Sequence, residues 1–488
     1  MFESEFLTST EDSKDAYRRL LTEAAEVVGA SFLDRPYCGQ GPNILAEAIP
    51  NDFLPKSENS WEKIAATLRT VVANSIAVSN PRTVAHLHCP PLLASLAAEV
   101  VITALNQSMD SFDQAPIASV MEQKMVRWLC SEAGLPVTAN GTFTTGGSQS
   151  NYMGLLLARD ACLKKQCNWS AQKSGLPEEA RRMRILCSEV AHFTVEKSAS
   201  QLGLGTDAVV RIEVDERFRM NPVALRTALE SLRHQGLMPM AVVATAGTTD
   251  FGSIDPQREI GSLARRADAW FHVDAAYGGA LLFSSRHRDK LTGIEGADSI
   301  AIDFHKLFWQ PIPCSAFLVR DSRHFELIKL YADYLNPELH EEGGIPNLVT
   351  TSLLTSRRFD SLKLWISFQS LGREKLAAMI DRVIALANHA AEVIRRTRDL
   401  ELVCETQLST VVFRYVTGTE ESDINRINTA IRQNLFDKGV AVIGHTRVRG
   451  RQCLKFTCMN PTASEAEMDE LISLIRREGK KIETRNDS

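Results

Sequence analysis

The stretch FHVDAAYGGALLFSS, residues 271–285, sets one acid directly behind an apolar run and follows it with small residues. Phe271 and Val273 read as part of a buried strand, with Asp274 at its end. Ala275, Ala276, Gly278 and Gly279 leave room beside the carboxylate. Further on, IAIDFHKLF, residues 300–308, is a second apolar run that closes on Asp303, His305 and Lys306. Two strand-like runs, one delivering an acid and the other a lysine, ask for a sheet whose chemistry lies along one edge.

Working outward, RRMRILC, MPMAVVATAG, AWFHVDAA, SIAID and SAFLVRD alternate with helical patterns such as REIGSLARRADAW over residues 86–375. Their polarity does not strictly alternate, which suits strands covered by helices on both faces of a mostly parallel sheet. The fold class is therefore α/β. Residues 1–85 read as an N-terminal helical segment, because SKDAYRRLLTEAAEVVGASF and WEKIAATLRTVVANSIAV carry apolar residues at helical spacing. Residues 376–488 read as a small α+β domain. It has a long helix in REKLAAMIDRVIALANHAAEVIRRTRD, strands in TVVFRYV and QCLKFTCMN, and a final helix in EAEMDELISLIRREGKK.

A chain of 488 residues exceeds a single core. A formal net charge of -5 gives no support to nucleic acid or an anionic membrane as a partner. The acidic start MFESEFLTSTEDSKD lacks the basic and apolar regions of a signal peptide, and no apolar run reaches the roughly 18 residues of a membrane span. The expected compartment is the cytoplasm. The ten cysteines are scattered. Cys162 with Cys167 and Cys453 with Cys458 lack a second ligand pair nearby, so no metal is expected. HLHCPP, residues 86–91, reads as a rigid loop.

GTFTTGGSQSNYMGLLLARDACLKK, residues 141–165, begins with small and hydroxyl residues and becomes helical. Gly146 and Gly147 permit close backbone approach, and the free N–H groups of such a helix start would bind an anion. The competing reading is a tight turn before a core helix. GxGxxG and GxxxxGK[ST] are both absent here. Asp274 is either a solvated strand-end acid or the partner of a protonated ring nitrogen. Lys306 is either a surface lysine or an amine, held among Phe304, Leu307, Phe308 and Trp309, that captures an aldehyde. His192, in SEVAHFTVEKSASQLGLG, either caps or fills a core, or stacks on a heteroaromatic ring. An anion cradle, a ring-nitrogen acid, an aldehyde-capturing lysine and a stacking histidine together fit pyridoxal 5'-phosphate (PLP).

Carried by GGSQSN, HVDAAYGG and DFHK, the chain resembles the group II PLP-dependent amino-acid decarboxylases over residues 80–460. The resemblance implies a PLP-dependent transferase-like fold of type I. It implies Lys306 as the cofactor lysine, Asp274 as the pyridinium partner, and His192 and Ala276 on opposite ring faces. Gly147, Ser148 and His305 become phosphate contacts with Asp303 near them, and Thr248 lies near the ring's phenolic oxygen. It further implies a homodimer with active sites at the subunit interface, the first segment wrapping the neighbour, and His88 bordering the substrate side chain. In the implied chemistry the substrate amine displaces Lys306, carbon dioxide leaves, Asp274 keeps the ring protonated and a proton returns to the α-carbon. Some members place a tyrosine on a mobile loop for that return; here the position falls near Leu348, with Tyr331 and Tyr334 upstream, and His192 is a candidate donor.

YLNPE, PNLVTTSLLTSRRFD and DFHKLFWQP resemble bacterial diamine-producing members. These act on L-2,4-diaminobutyrate or, in some siderophore pathways, on L-lysine. The expected order is L-lysine giving cadaverine, then diaminobutyrate giving 1,3-diaminopropane, then glutamate or an aromatic amino acid. The rival class is a fold-type I aminotransferase, which would remove the α-proton instead of the carboxylate.

Overall fold

The apolar runs on either side of Asp274 and Lys306 are strands of one sheet. The computed structural model describes residues 5–31, 34–51, 53–339, 343–417 and 420–486. From the N-terminus its strands are β1 (Thr83–Val84), β2 (Asn140–Thr144), β3 (Met183–Ser188), β4 (Val209–Ile212), β5 (Met238–Thr245), β6 (Trp270–Asp274), β7 (Ser299–Asp303), β8 (Ser315–Val319), β9 (Leu400–Leu402), β10 (Thr410–Tyr415), β11 (Val442–Val448) and β12 (Arg451–Thr457). Contacts divide the chain into two units. One holds Met1–His86, His389–Val403 and Val412–Ser488; the other holds Leu87–Asn388 and Cys404–Val411.

The larger unit is built on a seven-stranded sheet in the order β2-β8-β7-β6-β5-β3-β4. Strands β4, β3, β5, β6 and β7 run parallel. β8 is antiparallel to both β7 and β2, so the sheet is mixed with one reversed strand. Every residue of β6, β7 and β8 is buried, which is why these strands read as unbroken apolar runs. The register sets Thr245 beside Asp274 and Asp274 beside Ala301, so the carboxyl ends of β5, β6 and β7 open on the same side.

The helix Gly147–Cys167 lies on this sheet. Its Met153, Leu155, Leu157 and Leu163 are in a core with Ile185, Ala241, Val243 and Phe317. Gly154 allows the close approach: a Cβ there would stand 2.6 Å from His272 Nδ1 on β6. The long helix Ser361–Arg396 is broken at Gly372, whose φ of 67° lies in the left-handed region. The portion after the break matches the helix read from REKLAAMIDRVIALANHAAEVIRRTRD.

The smaller unit carries a five-stranded sheet, β1-β11-β12-β10-β9, and the helices Glu11–Ser31, Trp61–Ala73, Glu421–Asp437 and Glu465–Asn486. Segments 1–85 and 376–488, read from the sequence as separate, share this unit because β1 pairs in parallel with β11. The division falls at Asn388/His389, inside the helix Ser361–Arg396, and not at 375/376.

Among the described residues all ten cysteines are free thiols. No group of three or more His, Cys, Asp or Glu among them is placed to hold a metal ion. No described helix is long and apolar enough to cross a membrane.

Candidate active site

Asp274 is the last residue of β6, Asp303 of β7, Thr245 of β5 and Thr144 of β2. A parallel sheet places ligands beyond the carboxyl ends of its strands, where loops and helix starts converge. A cavity of about 310 Å³ lies there. Its wall includes Gly147, Ser148, His192, Asp274, Ala276, Asp303, His305 and Lys306, drawn from four separate stretches of the larger unit.

One side of the cavity is the start of the helix Gly147–Cys167. Its N-cap is Gly146 and no side chain caps it, so the first-turn N–H groups face outward unsupported by a cap. Gly147 is required by space: a Cβ would stand 3.1 Å from both Ala276 Cβ and Asp303 Oδ2. Thr145 and Gln149 hold the approach to this turn, through Thr145 N donating to Gln149 Oε1 at 2.9 Å.

Lys306 is half-buried, and its Nζ lies 2.8 Å from Asp303 Oδ2. Ser315 donates to Asp303 Oδ1 at 2.7 Å. Burial alone would raise the Asp303 carboxyl; the Lys306 ammonium, His305 and these hydrogen bonds more than reverse it and leave it below the usual carboxylate range. Asp303, read from the sequence as near Gly147, Ser148 and His305, has its Oδ2 3.7 Å from His305 Nε2 and is also the ion partner of Lys306. His305 Nδ1 is held 2.9 Å from the Cys314 carbonyl, and burial lowers its pKa. The Cys89 thiol donates to the His305 carbonyl at 3.3 Å, which ties HLHCPP to the lysine turn.

Asp274 is buried and its two oxygens take different donors. Ala276 N donates to Oδ1 at 3.1 Å and Asn151 Nδ2 to Oδ2 at 2.8 Å. His192 Nδ1 lies 2.9 Å from Thr194 Oγ1, and desolvation holds this imidazole below its ordinary value.

Two sequence expectations fall outside the cavity wall. Thr248 is fully buried, with its hydroxyl 2.7 Å from Ser253 Oγ; the wall takes Thr245, Gly247 and Thr249 instead. His88 is exposed and does not line the cavity. Leu348 is buried with Met109, Ile102 and Phe359, while Tyr331 and Tyr334 are exposed and also lie outside the wall. The sequence reading missed Asn151, Thr194 and Tyr277. An amide at 151 on the buried face that continues through Leu155 was the available signal for the first.

Residues 42–416 match the pyridoxal-dependent decarboxylase conserved domain. The chain belongs to that family. This decarboxylase is 40% identical over 96% of its length to an L-2,4-diaminobutyrate decarboxylase of Acinetobacter baumannii, of which 93% is covered. It is 39% identical over 98% of its length to one from Rhizobium meliloti (strain 1021), of which 95% is covered. A solved structure from Vibrio parahaemolyticus is described as the glutamate decarboxylase domain of diaminobutyrate-pyruvate transaminase and L-2,4-diaminobutyrate decarboxylase. It superposes with a TM-score of 0.90 at 38% identity, covering 98% of this chain and 99% of that one.

The decarboxylase therefore has the fold-type I architecture, uses PLP and is an amino-acid carboxy-lyase. Its cavity fits that cofactor on its own terms. The Gly147 backbone start has no side chain to obstruct an anion, a carboxylate with fixed donors stands at β6, and an amine stands at the end of β7.

Proposed function

We propose that this enzyme decarboxylates L-2,4-diaminobutyrate to 1,3-diaminopropane and carbon dioxide. The observation that carries this is 40% identity along 96% of the chain to a diaminobutyrate decarboxylase. L-lysine, first in the sequence reading, becomes the alternative. The cavity lining supports the residue roles that the family resemblance implies. Gly147, Ser148 and His305 hold the phosphate, Lys306 is the cofactor lysine, and Asp274 is the partner of the ring nitrogen. His192 and Ala276 flank the ring.

PLP, when bound, supplies an aldehyde that captures the substrate amine and a ring that accepts the electron pair left by the departing carboxylate. The chain supplies position and charge. Asp274, fixed by Asn151 and Ala276, offers a carboxylate in a fixed orientation at the ring-nitrogen end. Asp303 holds the Lys306 amine as a paired ammonium whenever that amine is free. His192 closes one face of the cavity and keeps a neutral imidazole there, held by burial. The family resemblance also carries a homodimer. Ile44, Ile49 and Leu54, large apolar residues exposed on the N-terminal segment of this chain, suit a partner's surface.

The test is a panel of diaminobutyrate, lysine, norvaline, glutamate and an aromatic amino acid, with products identified by mass. Lysine is longer than diaminobutyrate by two methylenes, each worth roughly 1–3 kcal/mol of discrimination, so kcat/KM should favour diaminobutyrate at least about tenfold. Norvaline matches its reach without the distal charge and should be a poor substrate. A preference for lysine reverses the length assignment. Equal efficiency with norvaline removes distal-ammonium recognition, and a keto-acid product without carbon dioxide points to transamination.

A further inference from the structure

Behind the cavity a file of polar groups, buried up to His192 at its cavity end, crosses from β6 and β7 to the helix Gly147–Cys167. Trp270 Nε1 donates to Ser299 Oγ at 2.8 Å. Ser299 Oγ lies 2.7 Å from His272 Nδ1, and His272 Nε2 lies 2.9 Å from Asn151 Oδ1. Asn151 Nδ2 then reaches two acceptors, Asp274 Oδ2 at 2.8 Å and Thr194 Oγ1 at 3.1 Å. Thr194 Oγ1 ends the branch 2.9 Å from His192 Nδ1. Ser299 and His272 are 0% exposed, Thr194 1% and Asn151 2%, so water does not complete their bonding.

The two ends of this file dictate every proton in it. An indole N–H can only donate, and the Asp274 carboxylate oxygen beside Asn151 can only accept. The Asn151 amide must therefore turn its NH₂ to Asp274; the flipped amide would set two acceptors 2.8 Å apart. Its carbonyl then faces His272, which must carry its proton on Nε2 and accept at Nδ1. The donor at Nδ1 is the Ser299 hydroxyl, free to turn because it already accepts from Trp270. On the other branch the second Asn151 N–H donates to Thr194. His192 Nδ1 also accepts from Thr194 N at 3.4 Å, so the Thr194 hydroxyl donates to it as well and His192 carries its proton on Nε2.

We infer that His272 is a positioning residue: by donating from Nε2 to Asn151 Oδ1 it holds in place the amide that donates to Asp274 and to Thr194, the neighbour of His192. His192 meets the cavity able to donate from Nε2 and unable to accept there. Burial supports the neutral form of His272, lowering its pKa to about 4 against the pull of Asp274. Gly154 serves the same arrangement, since any Cβ at that position would collide with the His272 ring. The inference rests on the reading of Asp274 and His192 as cofactor-facing groups, yet its physical content belongs to the chain alone.

The test is nitrogen NMR of the full-length protein carrying ¹⁵N-labelled histidine, with and without PLP. His192 and His272 signals are identified by their loss in the His192→Gln and His272→Gln variants. Both imidazoles are expected neutral with Nε2 protonated in the wild-type protein, cofactor-free included. In His272→Leu the Asn151 amide loses the donor to its Oδ1 while His192 keeps Nε2 protonated, and kcat should fall about tenfold to a hundredfold while KM moves little. His272→Gln, which can still donate to Asn151 Oδ1, should recover most of that loss. An Nδ1–H tautomer at either histidine in the wild type overturns the assignment without recourse to any variant. So does a folded His272→Leu protein whose kcat is unchanged. Correct tautomers in a protein that decarboxylates nothing would instead overturn the reading of function.

Discussion

At the scale of single residues, Asp274 and Lys306 divide the work by what surrounds them. Asp274 sits among donors that cannot leave, Asn151 and Ala276 N, and so keeps one orientation. Lys306 sits beside a carboxylate, with Asp303 Oδ2 2.8 Å from its Nζ. Asp274→Asn keeps the shape but replaces an acceptor with an amide whose NH₂ must oppose either Asn151 Nδ2 or Ala276 N. The variant should fold, bind PLP and lose at least about a hundredfold in kcat, the scale seen when one preorganised electrostatic partner is removed. Steady-state rates at measured cofactor occupancy check this. Near-normal kcat at full occupancy would mean that no essential charge partner stands at 274.

At the scale of elements, the start of the helix Gly147–Cys167 is the proposed anion end of the site, where a Cβ at Gly147 would stand 3.1 Å from Ala276 Cβ and Asp303 Oδ2. Gly147→Val would fill that space. PLP affinity, followed by absorbance titration, should drop at least about tenfold, since a side chain at a close-packed site costs roughly 1–3 kcal/mol; unchanged affinity would place the anion elsewhere. Elements differ in how plainly the sequence shows them. β5, β6, β7 and β8 are buried on both faces and stand out as apolar runs. β2 does not, because NGTFT reads as turn and hydroxyl residues and becomes a strand only by pairing with β8 far along the chain. The same holds in the site. Lys306 and Asp274 were legible because each ends an apolar run. Thr194 and Ser299 were not, and Asn151 showed only as an amide on a buried helix face: their partners come from other elements, Asn151 meeting Asp274 across 123 positions, and local pattern does not identify them.

At the scale of the molecule, one sheet edge gathers groups from residues 145–306 into a single cavity, and the family match extends over 42–416. The domain division shows the limit of reading along the chain. Residues 83–84 join a sheet with residues 442–448, a pairing that no composition change marks. The central claim is that this cavity holds PLP on Lys306, and the most direct measurement is borohydride reduction of the purified PLP-loaded enzyme followed by peptide mapping. The account predicts that the cofactor is fixed covalently, in stoichiometric amount, on the peptide carrying Lys306. Label on a different lysine, or none retained after reduction, would contradict it.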